Sequence, residues 1–248
     1  NNSTVNPVVG IGTSSQESVA ECKGFVFFFN SGGIFVTSGG YPREISRPVY
    51  DWIANMSPSF YDDVAAFCDD DHYFCSIGDV TKGGRTYSNV WLVYTVSSQN
   101  WTIFTFADSF RAMTRYIVPS TGAVSYVGGD VDGAVQTFFS GTTDNGTSIQ
   151  YEYETKELEF ESRATTKQMS ELAVYITNGT GTQILIAEDN KKYHTMGDTE
   201  DIITILKGLN IRGHFFKIKL AGSNSSTPVV LDGLEILKVD SLGLLTKN

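Results

Sequence analysis

Acidic side chains gather in three places along the chain: Asp62 and Asp63, then Asp69, Asp70 and Asp71, then Asp130 and Asp132. Paired carboxylates are the equipment of glycoside hydrolysis, where one carboxyl protonates the leaving oxygen and the other attacks the sugar or activates water. The same oxygens suit calcium, and Asp130-Val131-Asp132-Gly133 together with Asp144-Asn145-Gly146 adds donors of that kind. Asp-Gly and Asn-Gly are also strong turn formers, and no EF-hand pattern is present, so these segments are read as structural turns and no metal ligand is assigned.

The other routes to catalysis find less. His72, His194 and His214 are dispersed, and none accompanies a recognisable serine or cysteine nucleophile. His72 falls in an acidic hairpin turn, where a solvated imidazole is expected, and His214 precedes Phe215 at a strand edge. The Ser-x-Asp-x-Gly-x-Thr-Trp repeat of sialidase blades is absent. Gly83-Gly84 and Gly128-Gly129 lack the Lys-Ser/Thr and the helix of a phosphate loop. The residues therefore predict no catalytic site, no cofactor and no metal, and a chain that is not an enzyme, with a propeller glycosidase as the lesser alternative.

Cys22, Cys68 and Cys75 are odd in number and lack metal-site spacing. A hairpin about Asp70 and Asp71 sets Tyr73 opposite Cys68 and Cys75 diagonal to it at roughly 7–8 Å, beyond easy disulfide reach. Buried reduced thiols are expected. Asn-x-Ser/Thr triplets at Asn1, Asn2, Asn55, Asn100, Asn145, Asn178 and Asn224 are read as chance in an Asn/Ser/Thr-rich chain.

These residues must be held by strands. Aromatics at 12% and 24 glycines favour pleated segments joined by tight turns. Phe25 to Phe29 turns at Asn30-Ser31-Gly32-Gly33 into Ile34 to Ser38, and Val64 to Cys68 turns at the acidic triplet into Tyr73 to Ile77. Val90 to Val96 turns through Ser97 to Asn100 into Trp101 to Phe106. Ala112 to Val118 turns at Pro119 to Gly122 into Ala123 to Val127. Repeated hairpins predict propeller-type blades, about two or three of them, fewer than a closed propeller uses. One helix interrupts them: Ser46 caps, Pro48 enters the first turn, and Val49, Trp52, Ile53 and Met56 form a single apolar stripe covering the open end of a sheet.

After Gly146 the pattern changes to longer strands at Thr147 to Tyr153, Leu158 to Phe160, Glu171 to Thr177, Gln183 to Ala187, Ile202 to Leu206, His214 to Ala221 and Gly233 to Val239, which suits a β-sandwich. Phe216, Ile218 and Leu220 alternate with Phe215, Lys217 and Lys219, giving one buried and one largely wet face. The expectation is an all-β chain, a propeller-like domain over 1–146 and a β-sandwich over 147–248.

Acids outnumber bases 28 to 18, a net charge of −10 that disfavours direct grip on nucleic acid or anionic lipid. No stretch approaches the roughly 18 apolar residues of a membrane span, and a soluble chain is expected. The first residue is Asn1 rather than Met, as expected of a processed product or a fragment.

The segments Gly32-Gly33-Ile34-Phe35-Val36, Gly39-Gly40-Tyr41-Pro42-Arg43-Glu44-Ile45-Ser46 and Val90-Trp91-Leu92-Val93-Tyr94 with Trp101 resemble β-propeller tail proteins of short-tailed bacteriophages. So do Asp132-Gly133-Ala134-Val135 and Thr155-Lys156-Glu157-Leu158-Glu159-Phe160 followed by Thr166-Lys167. The likeness runs over most of residues 24 to 240. It implies a nozzle, hub or packaged-DNA stabilisation protein: a virion tail component without chemistry of its own, made in the host cytoplasm. It further implies a homo-oligomeric ring, commonly a hexamer, below the portal and adaptor, with DNA passing through its lumen. The acidic balance suits a lumen that offers few ion pairs to DNA. The loops around Lys82-Gly83-Gly84-Arg85 and Lys191-Lys192 are candidate subunit contacts. The alternative is a carbohydrate-binding or host-attachment module, which requires exposed rings near Tyr193 and Asn224; Trp52, Trp91 and Trp101 sit in regular apolar patterns and are read as core.

Overall fold

A computed structural model describes residues 11–160, 162–200, 202–224 and 227–242, with the side chain of Asn224 left out. The triplets at Asn1 and Asn2 lie outside the described residues. The chain is all-β and divides into two compact units, residues 1–140 and 141–248.

The first unit holds three consecutive antiparallel meanders. Strands β1 (Ala20–Cys22), β2 (Phe25–Asn30), β3 (Gly33–Thr37) and β4 (Arg43–Glu44) form the first sheet. The second contains β5 (Ala65–Cys68), β6 (His72–Lys82), β7 (Arg85–Thr95) and β8 (Asn100–Thr105), and the third β9 (Phe110–Ile117), β10 (Val124–Asp130) and β11 (Val135–Phe138). The meander is the blade topology that the hairpin spacing predicted. Cys68 pairs with Tyr73 and Asn30 with Gly33, so both of those turns fall where the sequence placed them.

The middle sheet is buried on both faces, and its period-2 pattern shows how. Ala66, Tyr73, Cys75, Leu92 and Tyr94 pack with Phe27, Phe29, Ile34 and Val36 of the first sheet. The intervening Phe67, Phe74, Trp91 and Val93 pack with Phe110 and Phe138 of the third. Stacking of this kind explains why β6 and β7 read as nearly continuous apolar runs rather than alternating ones.

Two local expectations change. The Lys82 to Arg85 segment is no long loop: Lys82 pairs with Arg85, and Gly83 (φ 61°) and Gly84 (φ 78°) make a two-residue hairpin turn of the twist that neighbouring strands prefer. The expected helix is a 3-10 turn, Arg47–Val49, followed by one α-turn, α1 (Tyr50–Ile53). Its stripe does face the core, with Val49, Ile53 and Met56 buried and Trp52 packed alongside. Ser46 does not cap it. Its hydroxyl instead accepts the Ile34 N–H at 3.0 Å and donates to Glu44, tying β3 to the loop that leaves β4.

The second unit is a two-sheet sandwich. One sheet orders β12 (Thr143–Asp144), β13 (Thr147–Glu154), β18 (Phe216–Asn224), β15 (Gln183–Glu188) and β16 (His194–Asp198). The other orders β17 (Ile202–Gly213), β14 (Lys167–Thr177) and β19 (Val230–Ser241). Leu172, Val174 and Ile176 of β14 meet Ile184 and Ile186 of β15 and Phe216, Ile218 and Leu220 of β18 in one core. The alternation read from β18 holds within the strand, where those three are buried while Lys217 and Lys219 face Glu157, Glu152 and Glu154 on the other side; Phe215, expected on the wet face, precedes the strand and is buried under the Arg163 guanidinium. No described helix is long and apolar enough to cross a membrane.

Candidate assembly surface

Of the carboxylates that suggested chemistry, Asp63, Asp69, Asp71 and Asp130 are occupied by turns and ion pairs. Asp69 Oδ1 accepts the backbone N–H groups of Asp71 (2.7 Å) and His72 (2.6 Å), and its Oδ2 meets His72 Nδ1 at 2.9 Å. Asp71 takes Lys23 Nζ at 2.6 Å and both the N–H and hydroxyl of Ser97, linking the second sheet's hairpin tips to the first sheet. The Lys23 hydrogen bond, then those from Ser97, hold the Asp71 carboxyl down at about 2. Asp63 pairs with Arg111.

Asp130 Oδ1 accepts the N–H groups of Ala134 (2.8 Å) and Asp132 (3.0 Å), and Gln136 bridges its Oδ2 to Asp108. Those bonds, that of Ala134 foremost, hold its carboxyl below the usual range. Asn145 and Gly146 both have positive φ in the turn where Asp144 pairs with Thr147. Among the described residues, no group of three or more His, Cys, Asp or Glu is placed to hold a metal ion.

The histidines stay apart in role as well as in sequence. His72 is the acidic turn's own partner; His194 Nε2 stands 4.0 Å from Glu188, and His214 Nδ1 stands 3.1 Å from Asp189, which also accepts the His214 N–H at 2.7 Å. Lys191 pairs with Glu188 at 3.4 Å. Of the three tryptophans, Trp91 is fully buried and Trp101 donates its indole N–H to the Ile45 carbonyl at 3.1 Å. Tyr193 is half-buried beneath the Lys219 ammonium, 4.8 Å from the ring centre, and burial beside Glu154 raises its phenol.

What the sequence did not single out are the outward faces of the stack. On the third sheet, register turns Ala112, Thr114, Tyr116, Val127, Val135 and Thr137 away from the Phe110–Phe138 core. None of the six carries a charge, and Val135 is 75% exposed. At the other end of the stack the outer face of the first sheet is less open: Phe28 is buried and stacks on half-buried Phe35 at 5.7 Å, Val19 and Val26 are exposed nearby, and register places Glu21 and Glu44 on the same face. In the sandwich, Ile203 and Ile205 of the edge strand β17 are about half exposed. Exposed apolar side chains grouped on one sheet face mark contact sites more often than singly scattered ones do.

No family model matches the chain, and no curated protein matches it. Among solved structures it is similar to an exo-β-1,3-galactanase from Phanerochaete chrysosporium with galactose, at 11% identity over 85% of this chain and 64% of that one, TM-score 0.23. A variant of that enzyme with β-1,3-galactotriose gives 11% and 0.21 over the same shares. A glycoside hydrolase family 43 arabinoxylan arabinofuranohydrolase from Bacillus subtilis with cellotetraose gives 8%, 85% and 59%, TM-score 0.22. The chain spans less than two thirds of each of these proteins. The expectation that it is not an enzyme is corrected here and withdrawn, because the solved structures it matches are glycoside hydrolases. Likeness at this level carries no assignment of their activities to the chain.

Proposed function

We propose that the chain is a structural subunit of a short-tailed bacteriophage tail, of the nozzle, hub or packaged-DNA stabilisation type. It assembles into a homo-oligomeric ring, such as a hexamer, that seats against portal, adaptor or other tail proteins in the virion after synthesis in the host cytoplasm. DNA passes its lumen without sequence-specific contact.

The observation that carries this reading is the open stack of meander sheets. Its middle sheet is buried on both faces, whereas the third sheet at one end turns an uncharged, partly apolar face outward. A sheet face of that composition gains free energy when covered, roughly 25 cal/mol for each Å² of apolar area removed from water. The sequence segments that resemble phage tail propellers and the net charge of −10 support the same reading, the latter because like charge gives DNA few ion pairs to hold.

Light scattering of the purified chain across concentration, alone and with candidate adaptor or tail proteins, tests the proposal. A ring-sized mass, alone or on the partner, supports it. A monomer that persists at high concentration and ignores every tail partner overturns it.

A further inference from the structure

Cys22 ends the first sheet's edge strand β1, and Cys68 ends the second sheet's edge strand β5. Both belong to the apolar cluster that joins these sheets, β1 packs against β5, and each thiol perturbs the titration of the other. Cys22 Sγ also points at the Asp69 carbonyl, 3.6 Å away, which fixes it beside the residue that follows Cys68. Cys22 is 1% exposed and Cys68 is partly exposed. Cys75, by contrast, lies opposite Ala66, two rungs along the ladder from Cys68, and is fully buried. The chain therefore has a pair and a bystander, although its sequence offers three equivalent thiols.

We propose that Cys22 and Cys68 are a disulfide-forming pair that staples the first sheet to the second when the protein meets a small-molecule disulfide. The Cys68 sulfur, the more accessible of the two, gives up its proton and attacks one sulfur of the oxidant, breaking its S–S bond and releasing one small thiol. Cys22 then loses its proton and displaces the second small thiol from the mixed disulfide. Two protein thiols are oxidised to one disulfide, and one small disulfide is reduced to two thiols that take up the protons. The closed link spans residues 22 to 68 and restricts the unfolded chain, so it stabilises the first unit. Burial raises both thiols above the ordinary range, with Asp69 and Glu21 adding to the effect, so the exchange is slow in the folded protein.

The test incubates the native full chain with oxidised glutathione, quenches it with acid, and counts thiols and maps peptides by mass spectrometry without reduction. The expected product has lost about 2 Da and two of its thiols, contains a cross-linked Cys22–Cys68 peptide, keeps Cys75 free, and melts about 5–15 °C higher. C75S should form the same link. C22S should stop at a glutathione adduct on Cys68. A wild-type product that stops at that adduct, a Cys68–Cys75 cross-link, or three thiols surviving full equilibration would each overturn the proposal.

Discussion

Trp91 stands directly opposite Ser76 on the face of the middle sheet turned toward the third, and both side chains are fully buried. Neither the indole N–H nor the hydroxyl has a hydrogen-bond partner, so two polar atoms share one aromatic interior of Phe67, Phe74, Phe106, Phe110 and Phe138. The Trp91 ring meets Phe110 and Phe138 edge-on at 5.7 and 4.9 Å, the arrangement that aromatic quadrupoles favour.

The two residues should therefore respond oppositely to truncation. Trp91→Ala removes the centre of the contact between sheets and should cost the first unit about 3–5 kcal/mol. Ser76→Ala removes an unpaired hydroxyl and should be neutral or stabilising by up to about 1 kcal/mol. Calorimetric unfolding of both variants checks this; a large loss in S76A would mean that its hydroxyl is satisfied in solution.

Much of this arrangement was legible because local chemistry is local in space. The acidic triplet set the pairing of Cys68 with Tyr73, and the alternation of Phe216, Ile218 and Leu220 against Lys217 and Lys219 set the faces of β18. The β6–β7 hairpin was missed because Asp79 to Ser88 is polar and reads as a loop, although its two-glycine turn is a hairpin signal. Short edge strands such as β1 and β4 have too few residues to show a period. The Cys22–Cys68 neighbourhood was hidden for another reason: register relates strands within a sheet, and these cysteines meet between sheets. The aspartates looked free because sequence does not reveal which backbone N–H groups a turn will aim at a carboxylate.

Asp71 gives the first unit an acid limb. Its carboxyl is held at about 2 by Lys23 and Ser97, below the roughly 3.9 of an unfolded aspartate. A depressed folded value means the stabilisation is fully present above the unfolded value and is lost as pH falls through the folded one. Between about pH 4 and pH 2 the melting temperature of the native chain should fall more steeply than that of Asp71→Asn. Parallel curves for the two proteins across that range would show that the Lys23 pairing contributes nothing.

Lys167 is 1% exposed at the start of β14. Its ammonium donates to the carbonyls of Ser162 and His214, at 2.5 and 2.9 Å, closing the loop before β14 onto the start of β18. Lys167→Met keeps the stem's packing and strands both acceptors, which should cost about 1–3 kcal/mol per carbonyl left dry. Urea unfolding of the sandwich measures it. An unchanged midpoint would show that water replaces the ammonium without loss.

The outward face of the third sheet separates assembly from folding. Val135 is 75% exposed and sits opposite Gly129 on an edge strand, so Val135→Glu adds a charge where the folded subunit has room for it and should change stability by no more than about 0.5 kcal/mol. In a ring that covers this face, the same carboxylate is buried without a partner, a cost large enough to shift association by orders of magnitude. Gly128→Ala on the opposite face makes the control, because its new Cβ would fall 2.4 Å from the Phe138 ring and 2.8 Å from that of Phe110 and should destabilise the fold itself. Light scattering and calorimetry on both variants should show V135E folded but dissociated and G128A weakened in melting. Equal assembly of V135E and the wild type would remove the third sheet from the subunit contact and leave the first sheet's Phe28–Phe35 face and the β17 edge as the surfaces to test.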